Sequence, residues 1–291
     1  MDRAGPPTDE PATRLERRVR VALARDCKGR GAGVAAIADA ALAFAVRADS
    51  ARAAERSLDL QYYIWRGDLT GRLLAQEALR AADRGVKVRL LLDDVYAPGR
   101  ERMLAALDGH PRIQVRLFNG ARWRIFGRLG LPLELLFGGW HLNRRMHNKA
   151  WIADGCLAVV GGRNLGDEYF GMGPRGGISF RDLDLLVAGP AAAQAVQVFN
   201  RYWASPLARR ATALSAAADA KGGLAALRLS LAAATALPAA QGLLATLSGP
   251  AQEQLRLSLA ATAPGAIKVV ADPPEKARRG LGARKRARAA G

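Results

Sequence analysis

One segment of the sequence combines residue types and spacing that suit phosphoryl-transfer chemistry. It reads H-x-K, then four residues, an aspartate, six residues, and finally G-G-x-N. Its members are His147, Lys149, Asp154, Gly161, Gly162 and Asn164. Because the chain contains only three histidines, a histidine placed at this spacing indicates a chemical centre. We therefore take this segment as the candidate active site.

Each side chain of the segment has a task that it could perform at a phosphodiester. A neutral imidazole, here His147, can attack phosphorus, and the ammonium of Lys149 can hold the non-bridging oxygens. Backbone N–H groups at Gly161 and Gly162, together with the amide of Asn164, can stabilise charge on the transferred group. This chemistry uses neither a metal nor a cofactor, so we expect none.

A strand and a hairpin are predicted to position these residues. Residues 146–152 are apolar and aromatic enough for a strand, which would place His147 and Lys149 on one face. Asp154-Gly155 is a two-residue hairpin signal, and the apolar run 156–160 would return antiparallel to the paired glycines. The run also contains Cys156, which we expect to be buried in that strand.

The rest of the sequence predicts an α/β fold, with a mixed sheet flanked by helices and an Ala-rich helical C-terminal extension. The expected strands are 58–65, 87–93, 114–118, a strand that begins at 180, and a short strand at 267–270. The expected helices are 14–30, 33–56, 70–84, 100–107, 191–203 and most of 206–262, broken at 222–223, 238 and 249–250. Asp93 and Asp94 end one strand, where a structural capping role is favoured over ligand binding.

Composition narrows the class of protein. Half of the 291 residues are hydrophobic, which is enough for a globular core. A net charge of +18 favours anionic partners, although the arginine excess is equally consistent with coding bias. Two cysteines are too few for a disulfide framework and indicate a reducing compartment. We expect no signal peptide and no membrane span, because no run of eighteen apolar residues occurs.

The segment around His147 resembles the HKD motif of the phospholipase D superfamily. Flanking stretches at 57–65, 89–94, 142–149, 167–170 and 201–203 are similar to the bacterial cardiolipin synthase C branch of that superfamily. The resemblance covers about residues 33–206 well and 207–275 loosely. It implies a phospholipase D-like catalytic domain at 33–206 and a helical extension with a closing strand at 207–275. We expect these regions to be flanked by a basic N-terminal segment, 1–32, with a disordered start before the predicted helix, and by a basic disordered tail, 276–291.

The resemblance also implies a mechanism. His147 would attack a phosphatidyl group to give a covalent phosphohistidine, which an alcohol or water would then resolve. A carboxylate on the strand before Gly189 would bind the other ring nitrogen, with Asp182 as the first candidate and Asp184 as the second. Relatives of this branch carry two HKD motifs, whereas neither His110 nor His141 begins a second one here.

A second motif in trans is therefore expected, from a homodimer or from another HKD-containing chain. Residues 121–140 suggest where a membrane would be contacted, because basic residues precede apolar ones as at the interface of an anionic bilayer. The candidate contacts are Arg124, Arg128, Leu133, Phe137 and Trp140. A buried helix or the cover of a dimer interface is the alternative for this segment.

The leading hypothesis is a cardiolipin synthase-like enzyme that acts on anionic phospholipid. It would be cytoplasmic and peripheral on the inner face of the cytoplasmic membrane. Two alternatives remain open. One is a single-motif phosphodiesterase or nuclease that acts as a homodimer on nucleic acid, which the apolar segment and the flanking stretches disfavour. The other is a truncated, non-catalytic homologue that binds phosphate.

Overall fold

The structure is a computed structural model that describes residues 11–27, 31–94, 101–120, 145–173, 177, 179–211, 220–246 and 267–277. Within these ranges, one eight-stranded sheet is accompanied by seven α-helices. The strands are β1 (Gly33–Ile37), β2 (Ser57–Tyr62), β3 (Lys87–Asp93), β4 (Ile113–Phe118), β5 (Ala150–Ala153), β6 (Leu157–Gly161), β7 (Asp184–Ala188) and β8 (Ala208–Arg210). The helices are α1 (Arg14–Cys27), α2 (Ala40–Ala53), α3 (Leu69–Asp83), α4 (Glu101–Asp108), α5 (Pro190–Trp203), α6 (Ala220–Thr235) and α7 (Pro238–Thr246).

The strand order in the sheet is β1-β7-β6-β5-β2-β3-β4-β8. β2, β3 and β4 are parallel, and α3 and α4 make the crossovers between them. All other neighbours pair antiparallel, including β5 with both β2 and β6. The mixed α/β class expected from the sequence is thereby confirmed.

Alternation along the strands gives the sheet two apolar faces. On the first face, side chains such as Leu60 and Trp151 pack with those of α2 and α3. On the second face, Ile152 and Val187 pack against α5. Since the sheet is covered on both sides, β5 and β6 are apolar along their length, as expected for a layer between helices, whereas the central strand β2 also buries Asp59 and Gln61.

The hairpin after β5 differs slightly from the predicted one. Its loop contains three residues, because Ala153 pairs with Leu157, and Cys156 lies in the turn instead of in the strand. Asp154 and Gly155 both have positive φ, 49° and 66°, which aspartate and glycine tolerate better than other residues. Burial raises the pKa of the Cys156 thiol to about 12, with nearby Asp154 adding to the effect.

Three further elements differ from the sequence prediction. Residues 33–37 form β1 and not the start of a helix, because ladder pairing with β7 overrides the helix preference of its alanines. The strand β8 was not predicted, since three residues carry no detectable alternation. Residues 267–270 are extended, but within the described ranges they join no strand ladder.

The helix α6 continues through Gly222-Gly223, where a break was predicted. A Cβ atom added to Gly223 would lie 3.4 Å from the Cβ of Ala106 in α4. The absence of a side chain at Gly223 therefore lets α6 approach α4 closely. In the part of the chain that the structure describes, no single helix reaches the length and hydropathy of a membrane crossing. Gly223–Thr235 and Pro238–Ala245 meet that criterion only as a pair, bent by 73°.

A buried ion cluster joins α2 to the first residue of β7 and to the loop after β6. The Oδ2 atom of Asp184 accepts hydrogen bonds from Arg47 Nη2 at 3.0 Å and from Arg163 Nη1 at 2.9 Å. All three side chains are at most 1% exposed. Burial lowers the pKa of Arg47, but Tyr62 and Asp184 outweigh this effect and the net pKa is raised. Two charged guanidinium groups therefore depend on one carboxylate.

We expect Asp184→Asn to destabilise the fold strongly, because the amide keeps the size of the side chain but removes its charge. Loss of one partner from a buried ion pair typically costs about 3–5 kcal/mol of unfolding free energy. Urea denaturation followed by circular dichroism measures this loss. The matched control is Asp272→Asn, whose ion pair with Lys276 is exposed and should contribute less than about 1 kcal/mol. Equal effects of the two substitutions would show that the cluster does not stabilise the fold.

Candidate active site

The backbone that precedes His147 is held by an aspartate at the carboxyl end of β3. Asp93 Oδ2 accepts the N–H of Met146 at 2.8 Å, and Asp93 Oδ1 lies 3.3 Å from Arg145 Nη1. From β2, Gln61 Nε2 lies 3.0 Å from Met146 Sδ. Asp93 thus supports the start of the motif, and this contact differs from the predicted capping of the turn that follows β3.

His147 and Lys149 lie together, as the strand alternation predicts. Lys149 Nζ is 3.0 Å from Nδ1 and 3.2 Å from Nε2 of the imidazole, and it donates to the His147 carbonyl at 2.8 Å. A neutral imidazole has one acceptor nitrogen, so only one of the two ring contacts is a hydrogen bond at any time. The imidazole is exposed, whereas Lys149 is buried. The ring is therefore accessible to a ligand, and the buried ammonium contacts the ring nitrogens.

The electrostatics of the pair favour a neutral ring. Burial and the positive charge of Lys149 lower the pKa of His147, while the carboxylate of Asp182 opposes this shift. Burial also lowers the pKa of Lys149 to about 8, again with Asp182 in opposition. At neutral pH, an uncharged nucleophilic nitrogen consequently stands beside a cation.

Tyr63 forms a wall of the site that sequence reasoning missed. Its ring centroid is 5.0 Å from that of His147, with an interplanar angle of 48°. Lys149 Nζ lies 5.6 Å from the same ring, within cation–π range. The sequence placed Tyr63 within the predicted strand 58–65, and this position alone does not indicate a contact with His147.

Asp182, the predicted partner of the histidine, acts on the site through its charge. Among the described residues, no hydrogen bond joins its carboxylate to the His147 ring, although it raises the pKa of both His147 and Lys149. Its backbone carbonyl accepts from Arg163 Nη2 at 2.9 Å, which fixes this stretch of chain. Asp184, the second candidate, is instead bound within the buried ion cluster.

The two glycines make room for these aspartates. A Cβ atom on Gly162 would collide with the Asp182 carboxylate, and one on Gly161 would collide with Asp184. The N–H of Gly162 donates to the carbonyl of Leu183 at 3.3 Å. The N–H of Gly162, which the sequence predicted to bind phosphate, therefore forms a hydrogen bond with the segment that leads into β7.

Asn164 and Asp154 support the site from a distance. Asn164 Oδ1 accepts the N–H of Ile64 at 3.0 Å, and Nδ2 donates to the hydroxyl of Tyr169 at 3.1 Å. Asp154 lies at the opposite end of β5 from His147. Its carboxylate accepts the backbone N–H groups of residues 55–57, with the shortest distance being 2.8 Å to Arg56. The structure thus does not bring Asp154 to the imidazole.

The predicted membrane contacts Arg124, Arg128, Leu133, Phe137 and Trp140 lie outside the described residues. Within the described ranges, the side chains of His, Cys, Asp and Glu form no group of three or more that could hold a metal ion.

A cleft of about 470 Å³ opens beside the pair. Its floor is formed by β6 and β7 and one wall by α5. Residues 267–271, which we call the strap, form its roof. The strap is tied to α5 through Gln194, whose Nε2 donates to Ile267 O at 3.2 Å and whose Oε1 accepts the N–H of Val269 at 2.8 Å.

Comparison with known proteins gives consistent matches. Residues 48–203 match the family model described as "Cardiolipin synthase, PLD-like domain". Cardiolipin synthase C of Escherichia coli (strain K12) is 50% identical over 161 residues, which cover 55% of this chain and 33% of that protein. The major cardiolipin synthase of Bacillus subtilis (strain 168) is 34% identical over 142 residues, 47% of this chain and 26% of that protein.

Among solved structures, NucT from Helicobacter pylori aligns with a TM-score of 0.45 at 15% identity, covering 62% of this chain and 99% of that one. The chain spans about a third or less of the length of the curated relatives described above.

We expect the imidazole of His147 to titrate below the ordinary pKa of about 6.5. Lys149→Met should raise its pKa, because a neighbouring positive charge is removed, and Asp182→Asn should lower it further, because an opposing negative charge is lost. NMR titration of the imidazole resonances measures both shifts. Leu229→Gln, a change on the exposed surface of α6, is the control and should leave the His147 titration unchanged. A fall in the His147 pKa in Lys149→Met would contradict the arrangement.

Proposed function

The chain belongs to the cardiolipin synthase family of phospholipase D-like domains, and on this premise we propose that it transfers a phosphatidyl group through a phosphohistidine at His147. The observation that carries the proposal is an exposed histidine beside a buried lysine, 3.0 Å apart, at the mouth of a largely apolar cleft. A neutral imidazole is a nucleophile, and a cation at its side binds the anionic phosphodiester.

In the proposed first step, a ring nitrogen of His147 bonds to phosphorus as the bond to the leaving alcohol breaks. Lys149 holds the non-bridging oxygens, and the carboxylate of Asp182 stabilises the cationic phosphohistidine through its charge. In the second step, an alcohol or water attacks phosphorus as the bond to the imidazole breaks, and its proton passes to the group that protonated the leaving alcohol in the first step. Tyr63 is proposed to hold the plane of the ring, so that the attacking nitrogen keeps its direction.

The leaving alcohol requires a proton, and we propose that a second HKD unit provides it. The H-x-K-x₄-D pattern occurs once in these 291 residues. His110, the other histidine in the described part of the chain, is 8% exposed and bonded to Asp83, so it is not available at the cleft. A homodimer in which each copy provides one histidine would complete the site. Another HKD-containing chain would serve equally.

The proposed substrate is an anionic phospholipid, and the proposed location is the surface of the cytoplasmic membrane on its inner face. The net charge of +18 supports attraction to anionic headgroups. The basic and apolar segment that contains Arg124, Arg128, Leu133, Phe137 and Trp140 remains the proposed contact. Asp154 is proposed to act by positioning β5, through its bonds to residues 55–57.

A second candidate function is cleavage of nucleic acid, which the net charge of +18 also favours. The lining of the cleft argues for the lipid, since a polynucleotide offers no long apolar group to fill it. A third candidate is a phosphate-binding protein without turnover, which would keep the lysine and the fold but produce no phosphohistidine.

We expect the purified chain to convert phosphatidylglycerol in mixed micelles and to leave plasmid DNA intact. Mass spectrometry of the lipid products and gel analysis of the plasmid give the two readouts. His147→Ala should abolish lipid conversion, because the nucleophile is lost, while Leu229→Gln on the exposed face of α6 should leave it unchanged. Cleavage of DNA without lipid conversion would favour the nuclease. Equal, null activity of the wild-type chain and His147→Ala would favour the binding protein.

We further expect His147→Ala to inhibit the wild-type chain when the two are mixed and allowed to exchange. If each active unit needs two histidines from two copies, an equal mixture should lower activity per wild-type chain to about half, because half of its partners lack the imidazole. Steady-state rates at constant wild-type concentration measure this effect. Leu229→Gln, added in the same ratio, should not inhibit. Undiminished activity with excess His147→Ala would contradict the homodimer.

A further inference from the structure

The cleft beside His147 is apolar along most of its length. Its floor contains Val160 and Leu185, and the wall from α5 contributes Val198. The strap adds Ile267 and Val269, which pack on the core of the second face of the sheet. The volume of about 470 Å³ falls within the range of pockets that enclose small-molecule ligands.

Cationic side chains also line the cleft, and they include Lys268 of the strap as well as Lys149. His147 and Lys149 line it together with the apolar residues, so the polar and apolar parts belong to one continuous space. No acidic side chain is found among the described residues that line it. A ligand that fills this space should contain both an anionic group and a long apolar group. The anionic group would be unfavourable against the apolar side chains, and the apolar group would be unfavourable against the charged ones.

The mouth of the cleft exposes large apolar side chains. The described residues include seven such side chains with high exposure, and three of them line this cleft. These are Leu183 at 53%, Leu185 at 38% and Val270 at 75% exposed. Clustered exposure of this kind marks a surface that is covered when a ligand or partner binds.

We propose that this cleft binds one acyl chain of the phospholipid whose phosphodiester lies at His147. The proposal rests on the lipid function proposed above and extends it to a defined binding site. The chain would lie over Leu185 and Val160 under the strap, and Gln194 would keep the strap in place as the roof. Burial of each methylene there strengthens binding about three- to fourfold.

Direct binding of alkyl phosphates tests the site without any turnover. Butyl, hexyl and octyl phosphate, used below their micelle concentrations, present the same anionic group with apolar chains of increasing length. Isothermal titration calorimetry of the full chain should show a gain in affinity on the order of a hundredfold from butyl to octyl phosphate. Octyl phosphate that binds no more tightly than butyl phosphate would overturn the proposal.

A matched pair of double variants locates the chain-binding surface. Leu185→Gln with Val270→Gln changes two exposed residues of the cleft, so the fold should persist and butyl phosphate should bind as before. The gain from butyl to octyl phosphate should then fall below about tenfold. Leu229→Gln with Leu237→Gln alters two exposed residues outside the cleft and should keep the full gain. A full gain in the cleft variant would place the alkyl chain elsewhere and overturn the proposal.

A second copy of the chain is the competing occupant of the cleft. In that case octyl phosphate would dissociate dimers in sedimentation experiments, and its apparent affinity would fall as the protein concentration rises. Either result would overturn the acyl-chain site in favour of a protein interface. Chain-length dependence in a protein that fails to convert phosphatidylglycerol would instead retain the binding site and refute only the proposed enzymatic activity.

Discussion

Asp184 forms ion pairs with two buried arginines, and the placement of the chain beside the candidate site depends on these contacts. Arg47 comes from α2 and Arg163 from the loop after β6, so one carboxylate holds a helix, a loop and β7 together. Arg163 also donates to the backbone of Asp182, which sets the distance of that carboxylate from the imidazole. A charge that never contacts a ligand thereby determines the electrostatic environment of the residues that do.

The site divides its tasks between exposed and buried groups. His147 is exposed and could contact a phosphodiester, whereas Lys149 is buried and its pKa is lowered to about 8. The two side chains are linked, because the charge of Lys149 adds to the effect of burial in lowering the pKa of the imidazole. The carboxylate of Asp182 opposes the lowering of both pKa values, which favours a charged ammonium on Lys149 at neutral pH.

Much of the fold could be predicted from the sequence, because its central elements follow local rules. The strand β3 is an apolar run, α3 has an aspartate cap and an amphipathic pattern, and the Asp-Gly turn joins β5 to β6. The strand β1 could not be predicted, since its residues favour a helix locally and become a strand only by pairing with β7, about 150 residues later. Sequence patterns contain no record of such distant partners.

The composition of the site was predicted better than its contacts. Spacing identified His147 and Lys149 as a pair, but it did not show that Arg163, the variable position of G-G-x-N, would enter an ion cluster. It also gave no reason to choose Tyr63, whose role depends on where β2 ends in space.

The glycine pair has a consequence for how such sequences are interpreted. Gly161 and Gly162 are small because aspartates from the neighbouring strand occupy the space where their side chains would be. A copy of this domain that had lost all turnover would still need both glycines in order to fold. Classification of related sequences as active or inactive should therefore rely on the histidine and the lysine. The glycines indicate only that the fold is intact, in active and inactive copies alike.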